Sequence, residues 1–278
     1  MIEKQIKIEG FTSNLRSTED LNLVIGSFGI QGAGKTRFWT TCPDPIGVIP
    51  TNRKTRRTAI DQAELTGKQI FMPEEDFIRH GNPVELAMLD DKKTREYYAK
   101  HVENMLKAAY RLAAHPDIRT IVVDDFSQFC EDVLFKHYGR TWRIMPRDRG
   151  PYNQDIIDFI NGVSAKNVVL THKSAEIWEN KTNAKGEETG TPTGKFKQKG
   201  FGDLGYHCNV VIEMKKNPAW DQNGNGKIPW KYSIDIRDCQ SRPELEGPQG
   251  KDLLTDEFIT FGNLAMEIFP NEDPARFM

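Results

Sequence analysis

The sequence GSFGIQGAGKTRF, at residues 26–38, constrains the fold of this chain more than any other feature. It fits the phosphate-binding pattern G-x-x-x-x-G-K-[ST], whose fixed positions here are Gly29, Gly34, Lys35 and Thr36. In such a loop, successive backbone N–H groups surround an anion, and the helix that follows directs its positive end toward the same point. The apolar run at residues 21–28 precedes the loop and is typical of a buried strand. The pattern therefore predicts a strand, a phosphate-binding loop and a helix in direct succession.

The residues of this loop have predicted roles toward a nucleotide. Gly29, Gly32 and Gly34 let the backbone approach the phosphates closely. Lys35 is expected to reach the terminal phosphates, and the Thr36 hydroxyl is expected to bind magnesium. The sequence therefore predicts ATP and Mg²⁺ as cofactors, with Lys35 also taking part in catalysis.

Short apolar runs alternate with amphipathic stretches along the rest of the chain. Further strands are predicted at 46–49, 69–72, 167–170, 209–214 and 230–238, and within 118–126. Helices are predicted at 35–41, 94–114, 129–138, 152–162 and 261–268. The Gly/Lys/Thr-rich segment 179–205 is predicted to be a long mobile loop, and 221–226 a hairpin turn. Strands separated by helices predict an α/β fold with a mostly parallel sheet.

Acidic residues follow two of the predicted strands. Asp124 and Asp125 end the β-branched run at 121–123, and because ligands of an open α/β sheet bind at the carboxyl ends of its strands, we expect both beside the phosphate loop. Asp124 is the predicted second partner of magnesium. Asp125 could orient the attacking water, and Glu74 and Glu75 are alternative catalytic acids.

A polar pair, Thr171 and His172, follows the predicted strand at 167–170. Its position at a strand end predicts contact with the nucleotide, as a sensor of the γ-phosphate. The alternative is an ordinary polar strand end. His172 is not expected to bind a metal, since the other histidines lack the spacing of metal ligands.

The net charge of −2 provides no global attraction for a polyanion, so contacts with nucleic acid must come from local patches. Two segments combine basic and aromatic residues, which neutralise phosphates and stack on bases. In segment 136–149 the candidate residues are Arg140, Trp142, Arg143 and Arg147. In segment 179–205 they are Lys195, Phe196, Lys197 and Lys199. Solvated basic loops without a ligand are the alternative.

Cysteine usage and hydropathy indicate a cytoplasmic protein. The four cysteines lack C-x-x-C spacing, which is typical of reduced thiols, and no apolar run is long enough to predict a membrane span or a leader. The length of 278 residues allows one large domain or two small ones. The expected organisation is an arm or edge strand at 1–20, a core at 21–245, and a tail with a short helix at 246–278.

The order of these motifs resembles the RecA-like P-loop ATPases, in particular the phage nucleotide-binding and RecA-like single-strand annealing proteins. The phosphate loop, the strand ending in Asp124-Asp125, and NVVLTHK followed by a long basic segment carry the resemblance, over about residues 20–245. It implies that Thr171 and His172 occupy the sensor position. It also implies that 136–149 and 179–200 face single-stranded DNA.

The resemblance further implies an ATPase that promotes annealing and recombination. Expected partners are single-stranded DNA, further copies of the chain in a ring or filament, and a single-strand-binding protein, all in the cytoplasm of a phage-infected bacterium. The family's catalytic glutamate follows the second strand, where this chain has Pro50-Thr51-Asn52. Efficient hydrolysis is therefore an open question.

Two other functions are compatible with the same residues. A nucleotide or small-molecule kinase could use the arginines of 140–149 as a lid over a second substrate. A non-hydrolysing nucleotide switch or scaffold would explain the missing acid after the second strand. A GTPase is disfavoured because the chain has no N-K-x-D motif.

Overall fold

The computed structural model describes residues 21–74, 89–182, 188–217, 231–247 and 260–278. Within these ranges, the strands form one mixed, mostly parallel sheet with helices on both faces. The predicted α/β class, with a mostly parallel central sheet flanked by helices, is therefore confirmed. The predicted arm at 1–20 and the hairpin turn at 221–226 lie outside the described residues.

All the predicted strands and helices are present, with shifted ends. The strands are β1 (Val24–Gly29), β2 (Ile46–Pro50), β3 (Ile70–Phe71), β4 (Thr120–Asp124), β5 (Asn167–Thr182), β6 (Glu188–Gln198), β7 (Val210–Asn217) and β8 (Lys231–Cys239). The helices are α1 (Lys35–Trp39), α2 (Arg53–Thr66), α3 (Asp91–Ala114), α4 (Phe126–Tyr138), α5 (Gly150–Val163) and α6 (Phe261–Ile268). None of the helices in the described ranges combines the length and apolar character that a membrane span requires.

The strand order is β3-β2-β4-β5-β1-β7-β8, and all neighbours are parallel except β7 and β8. The phosphate-loop strand β1 therefore lies between β5 and β7, and β5 separates β1 from β4. In the register, Ser27 is opposite Thr171 and Val123 is opposite Leu170. The carboxyl ends of β1 and β4 consequently meet residues 170–173 of β5, which continues beyond this edge of the sheet.

Two hydrophobic clusters cover the two faces of the sheet. One contains the inward residues of α3, α4 and α5, with Phe126, Phe129 and Phe159 in mutual ring contact. The other contains Phe38 and Trp39 of α1 together with residues of α6. Helix α6 therefore belongs to the core, although the sequence placed it in a C-terminal tail.

The predicted mobile loop at 179–205 is wrong over much of its length. β5 continues to Thr182 and pairs antiparallel with β6, from Ser174 opposite Gln198 to Thr182 opposite Glu188. We call this ribbon, residues 174–182 and 188–198, the β5–β6 hairpin. Glycine and lysine content suggested a loop, but the threonines and aromatic residues of the segment favour extended structure. Cross-strand hydrogen bonds then satisfy its backbone.

The charged segment after β2 forms helix α2, which the sequence pattern did not predict. The side chain of Asn52 accepts a hydrogen bond from the Thr55 N–H and caps the helix start. The helix ends at Gly67, which has a φ of 67°. These two local signals define the helix, since only Thr55 and Ala59 on it are buried.

Candidate functional site

The phosphate loop connects β1 directly to α1, as the sequence predicts. A Cβ atom on Gly29 would lie 2.3 Å from the backbone oxygen of Met214 on β7, so only glycine fits at this close approach. Gly34 has a φ of 94°, in the left-handed region that favours glycine, and it immediately precedes α1. The loop backbone is therefore fixed by one steric and one conformational requirement.

Lys35 holds its ammonium group within this loop. Its Nζ donates hydrogen bonds to the backbone oxygens of Gly29 at 2.6 Å and Ile30 at 3.1 Å. Burial lowers the pKa of Lys35, and the nearby carboxylates of Asp124 and Asp125 act in the opposite direction. A phosphate group at the loop would supply the negative charge that this half-buried cation needs.

Asp124 lies at the end of β4 with a buried carboxylate that accepts three hydrogen bonds. Oδ1 accepts from the Thr171 hydroxyl at 2.6 Å, and Oδ2 accepts from Trp39 Nε1 at 3.2 Å and from the Thr36 hydroxyl at 3.3 Å. Burial raises the pKa of Asp124, and the hydrogen bonds from Thr171 and Trp39 oppose this rise. The contacts connect the phosphate loop, α1, β4 and β5 at a single carboxylate.

The oxygen atoms of Thr36 and Asp124 fit the ligand chemistry of magnesium. Both are hard oxygen donors, and they are already within 3.3 Å of each other. Magnesium usually takes one or two carboxylates, several waters and phosphate oxygens rather than a cage of side chains. Among the described residues, no group of three or more His, Cys, Asp or Glu side chains could hold a metal ion. The predicted pair is therefore compatible with a magnesium ion that also contacts phosphate.

Asp125 is engaged by neighbouring groups on both carboxylate oxygens. Oδ1 accepts a hydrogen bond from the Ser127 N–H and so caps helix α4, and Oδ2 lies 3.1 Å from Lys173 Nζ. The hydroxyl of Thr51, at the end of β2, bonds to the backbone of Asp125. Asp125 is thus a structural residue of this edge, and its role toward an attacking water remains a prediction.

The two residues of the predicted sensor pair face opposite sides of the sheet. Thr171 contacts Asp124 on the side of α1, next to the phosphate loop. His172 is fully buried on the other side, where its ring meets Phe126 edge to face and its Nδ1 lies 3.0 Å from the backbone oxygen of Lys199. The structure therefore brings Thr171, and not His172, to the phosphate loop.

His172 is held in its neutral form. A carbonyl oxygen only accepts, so Nδ1 carries the proton that it donates to Lys199, and in the neutral ring this leaves Nε2 unprotonated. Burial lowers the pKa of His172 to about 4, and the hydrogen bond to the Lys199 carbonyl opposes this shift. Its bond to Lys199 links the part of β5 that pairs with β1 to the base of the β5–β6 hairpin.

Of the two alternative catalytic acids, Glu74 is described by the structure and is not brought to the phosphate loop. Glu74 lines a cavity of about 800 Å³ together with Pro45 and Ile118, which precede β2 and β4. This cavity is therefore at the amino ends of those strands, away from the edge that carries Asp124. Glu75, the other predicted acid, lies outside the described residues.

The basic segment between α4 and α5 is exposed to solvent, as a nucleic-acid contact requires. The exposed candidates are Arg140, Trp142, Arg143 and Arg147. The hydroxyl of Tyr138 donates to the backbone oxygen of Asp148 at 2.6 Å and closes the segment. Exposure alone does not distinguish a DNA contact from a solvated loop, so this assignment remains a prediction.

The candidates Lys195, Phe196 and Lys197 on the β5–β6 hairpin, and Lys199 directly after it, differ in their surroundings. Lys195 and Lys197 are exposed, whereas Lys199 forms an ion pair with Glu131 of α4 at 2.8 Å. Phe196 is half-buried and packs against the hydrophobic core, so its ring is not a free stacking face. Sequence reasoning therefore assigned the stacking role to a residue that packs instead.

Trp178 is the exposed aromatic residue of this hairpin that sequence reasoning missed. It lies on β5 opposite Pro192 of β6, and 60% of its surface is accessible. The segment was predicted to be a loop, so no face could be assigned to Trp178. The strand alternation of S-A-E-I-W-E, from Ser174 to Glu179, was the signal that could have placed it.

Neither the protein-family models nor the curated proteins compared with the chain give a match. The functional conclusion therefore depends on the geometry of this edge.

Proposed function

We propose that this chain is an ATP-binding, RecA-like P-loop protein that hydrolyses ATP and binds single-stranded DNA through the β5–β6 hairpin. The observation that carries the proposal is the convergence of Lys35, Thr36 and Asp124 at one sheet edge. Lys35 lies inside the loop, and Thr36 and Asp124 are within hydrogen-bonding distance of each other. This arrangement supports a site for a nucleotide phosphate chain and its magnesium ion.

Phosphoryl transfer depends on positioning and charge neutralisation more than on covalent chemistry by the protein. Lys35 would neutralise charge on the terminal phosphates, and magnesium, when bound, would offset the remaining charge. Thr171 orients the Asp124 carboxylate through its 2.6 Å hydrogen bond. Asp125 is the buried acid next to Asp124 and is the candidate to orient water, provided that its bond with Lys173 rearranges.

The hairpin supports the DNA part of the proposal because it extends from the same strand that carries Thr171. Lys199, at its base, bonds through its backbone to Lys173, His172 and Ser127. Ser127 is in turn the residue whose N–H is capped by Asp125. A chain of direct contacts therefore connects the nucleotide edge to the hairpin. A ring or filament, a single-strand-binding partner and a phage-infected host remain expectations.

A non-hydrolysing switch is the second candidate, and one observation favours it. At the end of β2, where RecA-like ATPases carry their catalytic glutamate, Thr51 bonds to the backbone of Asp125 and Asn52 caps α2. Neither side chain can act as a base. A kinase is the third candidate, with the exposed arginines at 140–149 as its lid.

Measuring phosphate release from ATP, with and without single-stranded DNA, separates these candidates. The proposal predicts ATP binding and a release rate that rises several-fold when DNA is added. ATP binding without release, under both conditions, would favour the switch. Phosphate transfer only in the presence of a small-molecule acceptor would favour the kinase, and absence of ATP binding would overturn the proposal.

A further inference from the structure

Strand β7 runs beside the phosphate loop and not only beside β1. The two strands are parallel, with Phe28 opposite Glu213, one residue before β1 ends at Gly29. β7 continues to Asn217, so its last residues extend along the loop that follows β1. The 2.3 Å approach of the Met214 oxygen to a Cβ on Gly29 shows how closely the two segments lie.

Lys216, two residues further along β7, lies over the middle of the loop. A Cβ atom on Gly32 would be 3.8 Å from Lys216 Nζ, which is the nearest atom outside Gly32 and its two chain neighbours. Gly32 is exposed and has a φ of 80°. A cavity of about 310 Å³ lies beside Ile30, and both Lys215 and Lys216 line it. The loop is therefore flanked by two ammonium groups, with Lys35 inside it and Lys216 next to it.

The neighbouring lysine of β7 points to the other face of the sheet. Lys215 forms ion pairs with Asp235 and with Glu213, which is itself buried. Strand alternation places Met214 and Lys216 on the side of α1 and Lys215 on the opposite side. The two lysines are therefore chemically identical neighbours on β7 whose side chains lie on opposite faces of the sheet.

We propose that Lys216 is a second phosphate-binding residue, which contacts the terminal phosphates of ATP in the same chain as Lys35. The inference rests on the nucleotide site of the proposed function. ATP brings several negative charges to the loop, and a charged hydrogen bond from a second lysine would stabilise them. Because Lys216 comes from β7, the phosphate site would include a strand on the far side of β1 from Asp124.

Calorimetric titration with ATP and magnesium tests this assignment. Lys216→Met removes the charge and keeps most of the aliphatic stem, and Lys216→Arg keeps the charge. Loss of one charged hydrogen bond predicts that Lys216→Met weakens ATP binding by about ten-fold or more, with a smaller effect for AMP. Lys216→Arg should stay close to the parent. The matched control, Lys215→Met, should bind ATP like the parent, because the Lys215 ammonium group is already paired with Glu213 and Asp235.

The outcomes separate this inference from the site on which it depends. If Lys216→Met binds ATP like the parent while Lys35→Ala loses binding, Lys216 is not a phosphate ligand and the nucleotide site stands. An equal loss in Lys215→Met would also overturn the assignment, since it would show a general charge effect. If the parent itself binds no ATP, the proposed function fails. Thermal unfolding of each variant shows whether it is folded.

Discussion

The hydroxyl of Thr171 donates a 2.6 Å hydrogen bond to the buried carboxylate of Asp124. β5 lies between β1 and β4, so this bond connects β5 to the carboxyl end of β4 at the edge that carries the phosphate loop. The same carboxylate contacts Trp39 and Thr36. Its orientation is therefore set by three groups from two elements, Thr36 and Trp39 of α1 and Thr171 of β5.

Thr171→Val should weaken both the fold and the site. It leaves a buried carboxylate with one hydrogen bond fewer, and bonds to charged groups contribute about 1.5–3 kcal/mol. Denaturant unfolding should show a loss of this size, and ATP affinity in magnesium should fall. Thr171→Ser keeps the hydroxyl and is the control. Equal stability of Thr171→Val and the parent would show that the bond does not orient Asp124.

Asp125→Asn should separate catalysis from structure. Asparagine caps helices about as well as aspartate, so the start of α4 should persist, although the ion pair with Lys173 is lost. We expect ATP binding to be retained and phosphate release to slow, because a base acts in the chemical step. Full turnover in this variant would exclude Asp125 as the residue that orients water.

The lowered pKa of His172 predicts how the free energy of unfolding depends on pH. This pKa is about 4 in the folded protein, against an ordinary value of 6.5. Between pH 4 and pH 6.5, the unfolded chain therefore binds a proton at His172 that the folded protein does not bind. The contribution of neutral His172 to stability is complete above pH 6.5 and is lost as the pH falls toward 4. A pKa shift of this size corresponds to about 3 kcal/mol in the free energy of unfolding.

The measurement is the free energy of unfolding from pH 7 to pH 4 for the parent and His172→Asn. Asparagine keeps a donor for the Lys199 carbonyl and does not titrate. The variant should be less stable at pH 7 but should lose less stability on acidification. Parallel curves for the two proteins would show that His172 does not titrate as its burial predicts.

Variants of the hairpin test separately how charge and base stacking contribute to DNA binding. We expect the slope of log K against log salt concentration for single-strand binding to become about 1.4 less steep when the exposed Lys195 and Lys197 are replaced by alanine. Each lost phosphate contact accounts for about 0.7 of this change. Trp178→Ala should cost about 1–3 kcal/mol of DNA affinity with little change in that slope. Phe196→Ala should instead lower stability, because its ring packs on the core.

Salt titration of oligonucleotide binding, with ATP present, checks these expectations. ATP affinity should be unchanged in the lysine and tryptophan variants, which leave the phosphate loop intact. An unchanged slope in the double-lysine variant would remove the hairpin as the DNA contact. Unchanged affinity in Trp178→Ala would remove the stacking role.

The sequence predicted the parts of the site that depend on short-range pattern. Lys35 and Thr36 follow from a motif with fixed spacing, and Asp124 and Thr171 follow from strand ends that a parallel sheet brings together. Trp39 could not be assigned, because its bond to Asp124 depends on how α1 docks on the sheet.

Two features that the sequence did not predict depend on contacts between residues distant along the chain, and a third depends on local strand alternation. Lys216 lies 184 positions from Gly32 in the numbering (216 minus 32), and only the pairing of β7 with β1 brings them together. His172 was predicted to follow the strand at 167–170, but it lies within β5, which continues to Thr182, and the face it occupies depends on the exact register. The hairpin was missed because composition was weighted above strand alternation.

The affinity of the chain for ATP in magnesium, compared between the parent and Lys35→Met, tests the central claim most directly. Methionine keeps the length of the side chain and removes the ammonium group that donates to Gly29 and Ile30. The account predicts that the parent binds ATP and that Lys35→Met, folded as shown by thermal unfolding, binds it at least ten-fold more weakly, as expected for a charged hydrogen bond of about 1.5–3 kcal/mol. Equal ATP affinity in the two proteins would contradict a phosphate site at this loop.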